Sequence, residues 1–209
     1  MAFEPFTILR AEPHGRQELL ERIRRVGMLL DPERKPYLEA DIALRSMPYS
    51  EIRPAQRYVL SDGLLKARHL DWELKRLGFD MLALDGYLTL TVEGADEAVD
   101  LLPPVVERLT EADGSRNNVL NDGMHRLYAG WLSWRTPKVL LVRNVPADAP
   151  YYAYPIPGPA PWESVTVIEG DRVPDGFIKK WHRLRDNKRL YRNFNSAFSN
   201  VGGPRGGGA

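Results

Sequence analysis

Apolar positions recur along this chain with two periods, and the switches between them mark its elements. Residues 16–30 carry Leu19, Leu20, Ile23, Val26 and Leu30 on one stripe with Arg and Glu opposite, which predicts an amphipathic helix ended by Asp31-Pro32. Residues 31–60 hold several prolines and read as irregular, apart from a short edge strand within Ile52–Val59. A second helix fits 62–77, capped by Ser61 or Asp62, lined by Ala67, Leu70, Leu74 and Leu77, and stopped at Gly78. Tyr87–Val92 alternates as a strand does, and 95–101 reads as a short helix. Leu102–Leu109 and Asn117–Leu120 read as strands joined by a turn containing Asp113-Gly114. Met124, Leu127, Tyr128 and Trp131 then fall at i, i+3, i+4 and i+7, a helix face over 124–134 that makes Trp131 and Trp134 core residues. Residues 137–143 form a buried strand, 146–163 are rich in proline and tyrosine, and Val165–Ile168 is one more strand. Residues 177–192 read as a basic helix, and the glycine-rich end as disordered.

This order predicts an α+β class: a small mixed sheet with helices at 86–145, a helical N-terminal extension over 1–85, a proline-rich segment with the basic helix over 146–200, and a disordered tail over 201–209. The 209 residues suffice for one domain with a real core. There is no cysteine, which excludes disulfides and thiolate chemistry, and the four histidines share no metal-ligand spacing. A net charge of +1 gives no global argument for nucleic acid. No apolar run is long enough to cross a bilayer and the first residues lack a signal-peptide pattern, so a cytoplasmic, membrane-free protein is expected.

The chemistry concentrates where a strand runs into Asn121-Asp122-Gly123-Met124-His125-Arg126. A strand, a tight glycine turn and a helix whose first turn carries His and Arg form an anion site, because the free N–H groups and the positive end of the helix dipole point at it. Each residue there has a plainer reading as well. Gly123 serves the turn itself, Asp122 a helix cap, and Arg126 the surface. Against that last reading, a cation in the first turn opposes the dipole unless an anion is present. Glu93, Asp96 and Glu107 are general-base candidates that spacing does not separate, and Lys138 reads as a strand-end residue.

The centre resembles the ParB/sulfiredoxin superfamily. Leu101-Leu102-Pro103-Pro104-Val105-Val106 is similar to that family's L-x-P-I-V-V strand start, Asp122-Gly123-Met124-His125-Arg126 to its G-x-x-R element in the D-G-H-H-R form, and Thr136–Val142 to the strand after the helix. The resemblance covers residues 101–145 and implies an ATP or other nucleoside triphosphate held at the glycine turn with Mg²⁺. In that reading Asp122, His125 and Arg126 are catalytic, Asn121, Gly123, Met124, His125 and Arg126 bind the nucleotide, and Asp122 holds the metal. Met124 stands where sulfiredoxins carry their cysteine, and the proline-rich stretch after the centre is unlike the helix-turn-helix domain of partition proteins. The expectation is therefore a Mg²⁺-dependent kinase or NTPase, transferring phosphoryl to a small hydroxyl compound or to water. The alternative is a DNA- or RNA-binding protein that uses Lys179, Lys180, Arg183, Lys188 and Arg189, with nucleotide as a switch or absent.

Overall fold

The computed structural model describes residues 3–111 and 113–201. Its centre is a four-stranded sheet of β3 (Asp41–Ser46), β9 (Lys138–Arg143), β7 (Val105–Thr110) and β8 (Arg116–Asp122), in that order. β7 and β9 are parallel; the outer pairs are antiparallel. A second sheet joins β1 (Ile8–His14), β5 (Tyr87–Val92) and β6 (Val99–Leu101), all antiparallel. Two short pairs complete the scaffold: β4 (Tyr58–Leu60) with β10 (Thr166–Ile168), and β2 (Gly27–Met28) with β11 (Arg192–Asn193). The helices are α1 (Arg16–Ile23), α2 (Ser61–Arg76) and α3 (Met124–Leu132). The class is α+β, as the pattern predicts.

The main core lies between the sheets and α2 and α3, with Leu74, Leu82, Val106, Leu127 and Leu141 at its heart. α3 turns in the face its periodicity predicts: Leu127 and Tyr128 are buried, and Met124 and Trp131 pack half-buried against the same cluster. A second cluster, on the other side, joins α1 through Leu19 and Ile23 to Leu140 and Val142 of β9. The stretch before residue 86 is thus more than a helical extension, since β1 and β3 pair into the two sheets.

Several expectations are corrected. The first helix ends at Ile23 rather than Leu30; Gly27 then passes so close to Pro32 that a Cβ there would meet its backbone, and the chain pairs with β11. Asp41–Ser46, read as irregular, is an edge strand because β9 offers it a full ladder. Residues 99–101, read as helix, pair with β5. Trp134 is not core: it is 93% exposed at φ 55°, just past the end of α3.

The largest correction concerns the basic segment. Residues 177–192 form no α-helix. Their backbone groups bond to other segments instead: the Lys179 carbonyl accepts from Arg57 N–H, the Trp181 carbonyl from Tyr154, and Arg183 N–H donates to the Tyr152 carbonyl. Such pairing outweighs the modest helix propensity of Lys, Arg and Leu. The glycine-rich residues 202–209 lie outside the described residues.

Candidate functional site

Strand β8 delivers Asn121 and Asp122 to the turn, Gly123 makes it, and α3 begins at once. Gly123 sits at φ 94°, ψ 22°, a conformation L side chains rarely adopt. A Cβ there would come within 3.0 Å of the Pro104 Cβ and 3.2 Å of Arg126 Nη2, so the glycine also permits close packing. No side chain caps α3, and among the described residues the N–H groups of Met124, His125 and Arg126 have no acceptor. The β7–β8 register shifts between Val105 and Val106, leaving Asn121 without a partner across the ladder. Such a bulge re-aims a side chain at the end of a strand.

The six predicted residues are contiguous but face three ways. Asn121 donates inward from Nδ2, to Glu107 Oε1 at 2.6 Å and to the Tyr37 hydroxyl at 2.9 Å. Arg126 folds back over the turn. Its Nη2 bonds Asp122 Oδ2 at 3.0 Å and its Nη1 bonds the Leu102 carbonyl at 2.5 Å. Burial pulls the Arg126 pKa below its ordinary value, opposed by the adjacent Asp122 carboxylate. His125 turns toward the start of α2, where its Nε2 accepts from Leu60 N–H at 3.1 Å; a Cβ on Gly63 would overlap its ring. Met124 packs on the core.

Burial lowers the His125 pKa, and its accepting Nε2 belongs to the neutral ring. Below about 6.5 the unfolded chain therefore binds a proton that the folded chain refuses, so stability falls as pH drops through that window. We expect His125→Gln, which keeps an acceptor but does not titrate, to flatten part of that decline. Urea melts at pH 5 and pH 7 check it; equal slopes for both proteins would refute it.

Beneath the turn lies a polar network that the sequence does not announce. Glu107 is fully buried and bound by Arg192, Nε to Oε1 at 3.0 Å and Nη2 to Oε2 at 2.8 Å, with both side chains 0% exposed. The Tyr37 hydroxyl donates to Glu107 Oε1 at 2.5 Å. Arg192 also donates to the Leu190 and Ala149 carbonyls. Burial works against the Arg192 charge, but Glu107 more than offsets it, so its pKa is raised; burial raises that of Tyr37, with Glu107 adding to the effect. Glu107 is thereby a scaffold group. Glu93 and Asp96 lie exposed near the β5–β6 turn, and Lys138 pairs with Asp85 at 2.7 Å.

Lys180 lies in the segment that follows β10. Its Nζ bonds the hydroxyls of Tyr151, at 3.3 Å, and Tyr152. It lies within electrostatic reach of Asp122, which partly offsets the burial that pulls its pKa down to about 8. Among the described residues it forms no ion pair. Of the buried pair, Glu107, read from sequence only as a base candidate, carries a faint signal in its inward position on an apolar strand, which requires a buried cation; nothing local marks Arg192 as that cation, and sequence reasoning misses it.

The family model of the ParB CE domain matches residues 18–166, most of the chain and all of the central sheet. The chain belongs to the ParB CE domain family. No curated protein and no solved structure matches it. Within this ParB-like domain the matched span holds the whole glycine turn, Tyr37 and Glu107, whereas Lys180 and Arg192 come from the segment that follows. Among the described residues no helix is long and apolar enough to cross a membrane, and no group of three or more His, Asp or Glu is placed to hold a metal ion.

Proposed function

We propose that the turn between β8 and α3 binds the phosphates of a nucleoside triphosphate, ATP or another, and that the bound nucleotide donates its phosphoryl group to a small hydroxyl compound or to water. The observation that carries this reading is the first turn of α3, opened by a left-handed glycine and without acceptors among the described residues, with the Lys180 ammonium under the electrostatic influence of Asp122 and bonded to no carboxylate among them. Three N–H donors, the helix dipole and a desolvated ammonium suit a polyanion, and phosphoryl transfer depends mostly on such positioning and charge neutralisation. Arg126 then acts chiefly as a positioning residue, its charge shared with Asp122. Among the described residues no hydrogen bond reaches Asp122 Oδ1, so a Mg²⁺ arriving with the nucleotide would fit one protein oxygen, the rest of its shell being phosphate and water. Bound there, the ion would neutralise phosphate charge.

Lys180 is the clean probe, because it can be neutralised without breaking an ion pair. We expect one nucleotide among ATP, GTP, CTP and ADP, with Mg²⁺, to raise the melting temperature of the wild type; ligand at 100 times its Kd is worth about 2.7 kcal/mol. Lys180→Gln should lose that shift. With a lysine pKa of about 8, nucleotide affinity should fall as the pH rises from 7 to 9. In the free protein the sign reverses. Between about 8 and 10.5 the unfolded chain holds the proton that folded Lys180 has released, so this residue's contribution to stability grows with pH. No shift with any nucleotide would sink the proposal.

A second reading, a nucleic-acid interface along 179–189, rests on the exposed Lys179, Lys188 and Arg189, the last of these paired with Asp186. Lys180 and Arg183 turn to protein groups, the latter holding Glu111 with both Nη atoms. Binding to duplex DNA or RNA that falls steeply with salt would favour this second reading over the first.

A further inference from the structure

At the far end of the β7–β8 hairpin from the glycine turn lies a cavity of about 470 Å³, lined by Arg108, Arg116, Arg143 and Arg183 together with Asp41 and Thr110. Thr110 and Arg116 pair at one end of the ladder and Val105 and Asp122 at the other. At about 3.3 Å per residue the two ends are about 16 Å apart, too far for one phosphate to touch both.

The arginines divide into two kinds. Arg143 pairs with Asp41 at 2.6 Å and Arg183 with Glu111 at 2.5 Å. Arg116 and Arg108 meet no carboxylate among the described residues; Arg108 bonds the Asn118 side-chain oxygen through its Nε. In addition, the Nε–H donors of Arg143 and Arg183 are buried without an acceptor among the described residues. A buried donor left unmade is costly, and Arg108 and Arg116 leave this concavity with positive charge beyond what Asp41 and Glu111 offset.

We propose that this cavity binds the phosphate group of a small phosphorylated molecule, as an effector site separate from the glycine turn. The two arginines without carboxylate partners match the charge of about −2 on a phosphate monoester. Phosphate oxygens also fit the planar guanidinium fork. The concave shape and a volume in the range of small-molecule sites favour a compact ligand over a nucleic-acid backbone.

The test is calorimetric titration with inorganic pyrophosphate at fixed ionic strength. Wild type and Lys180→Gln should both bind at this site. The double variant Arg108→Gln with Arg116→Gln should bind at least about tenfold more weakly, since each lost charge-assisted bond is worth that order. Arg143→Lys keeps a cation facing Asp41 but lacks the planar guanidinium fork, and it too should weaken binding, which guards against a double variant that fails to fold. Pyrophosphate binding unchanged by these substitutions, or absent from Lys180→Gln, would overturn the proposal. So would duplex DNA binding that depends on Arg108 and Arg116 and that pyrophosphate does not compete. Loss of nucleotide binding alone in Lys180→Gln bears on the turn and leaves this site intact.

Discussion

Glu107→Ala should cost the protein about 3–5 kcal/mol, the range seen when one partner of a buried ion pair is removed. In the wild type the carboxylate is held by Arg192, Tyr37 and Asn121, and the Glu107 and Arg192 side chains are wholly out of water. Truncation strands the Arg192 guanidinium, which retains the Leu190 and Ala149 carbonyls but no counter-charge. For a chain of this size the loss should lower the melting temperature by on the order of 10 °C. The pair itself is a different matter. Replacing Glu107 and Arg192 together by Met removes the stranded charge along with its partner, and the double variant should recover much of the loss. Denaturant melts of the two single variants and the double variant decide it. A single variant within about 1 kcal/mol of wild type, or a double variant no better than the singles, would show that the network does not hold the fold in this way. The network also carries Asn121 beneath the glycine turn, so its loss should loosen the site as well as the fold.

Arg126→Ala is expected to destabilise by about 2–4 kcal/mol whether or not any nucleotide is present. The guanidinium satisfies the buried Leu102 carbonyl and the Asp122 carboxylate, so truncation leaves one buried acceptor and one partly buried charge unpaired. Arg126→Lys should recover less than half of this, because a single ammonium cannot span two acceptors held by a rigid fork. A wild-type melting temperature for Arg126→Ala would mean the residue is free for a ligand and would restore a directly anion-facing role. With the expected result, lost nucleotide binding in Arg126→Ala reports on the turn's shape, and Lys180→Gln remains the variant that separates recognition from folding.

Periodicity and turn chemistry made the centre legible. The alternation at 87–92, the Asp-Gly turn and the i, i+3, i+4, i+7 face of 124–131 are local signals, and each element forms close to its predicted bounds. The β8–α3 turn is legible for the same reason, since glycine's conformational freedom is a property of one residue. Elements fixed by distant partners were not legible. Asp41–Ser46 and Val99–Leu101 become strands because β9 and β5 present ladders to them, and 177–192 stays non-helical because residues 57, 152 and 154 take its backbone groups.

By itself, then, the sequence determined an α+β chain without thiol chemistry, its central order of elements, and a glycine turn opening a helix beside Asp122 and Arg126. Tertiary structure alone decided what those side chains face. It folded Arg126 onto Asp122 and Leu102, turned His125 to Leu60, paired Glu107 with an arginine 85 positions away, and set Lys180 against the Tyr151 and Tyr152 hydroxyls from a segment whose charges read as a surface helix. The reason is physical: a backbone conformation is set by neighbours in sequence, whereas a buried charge is set by whichever opposite charge the whole fold can bring to it.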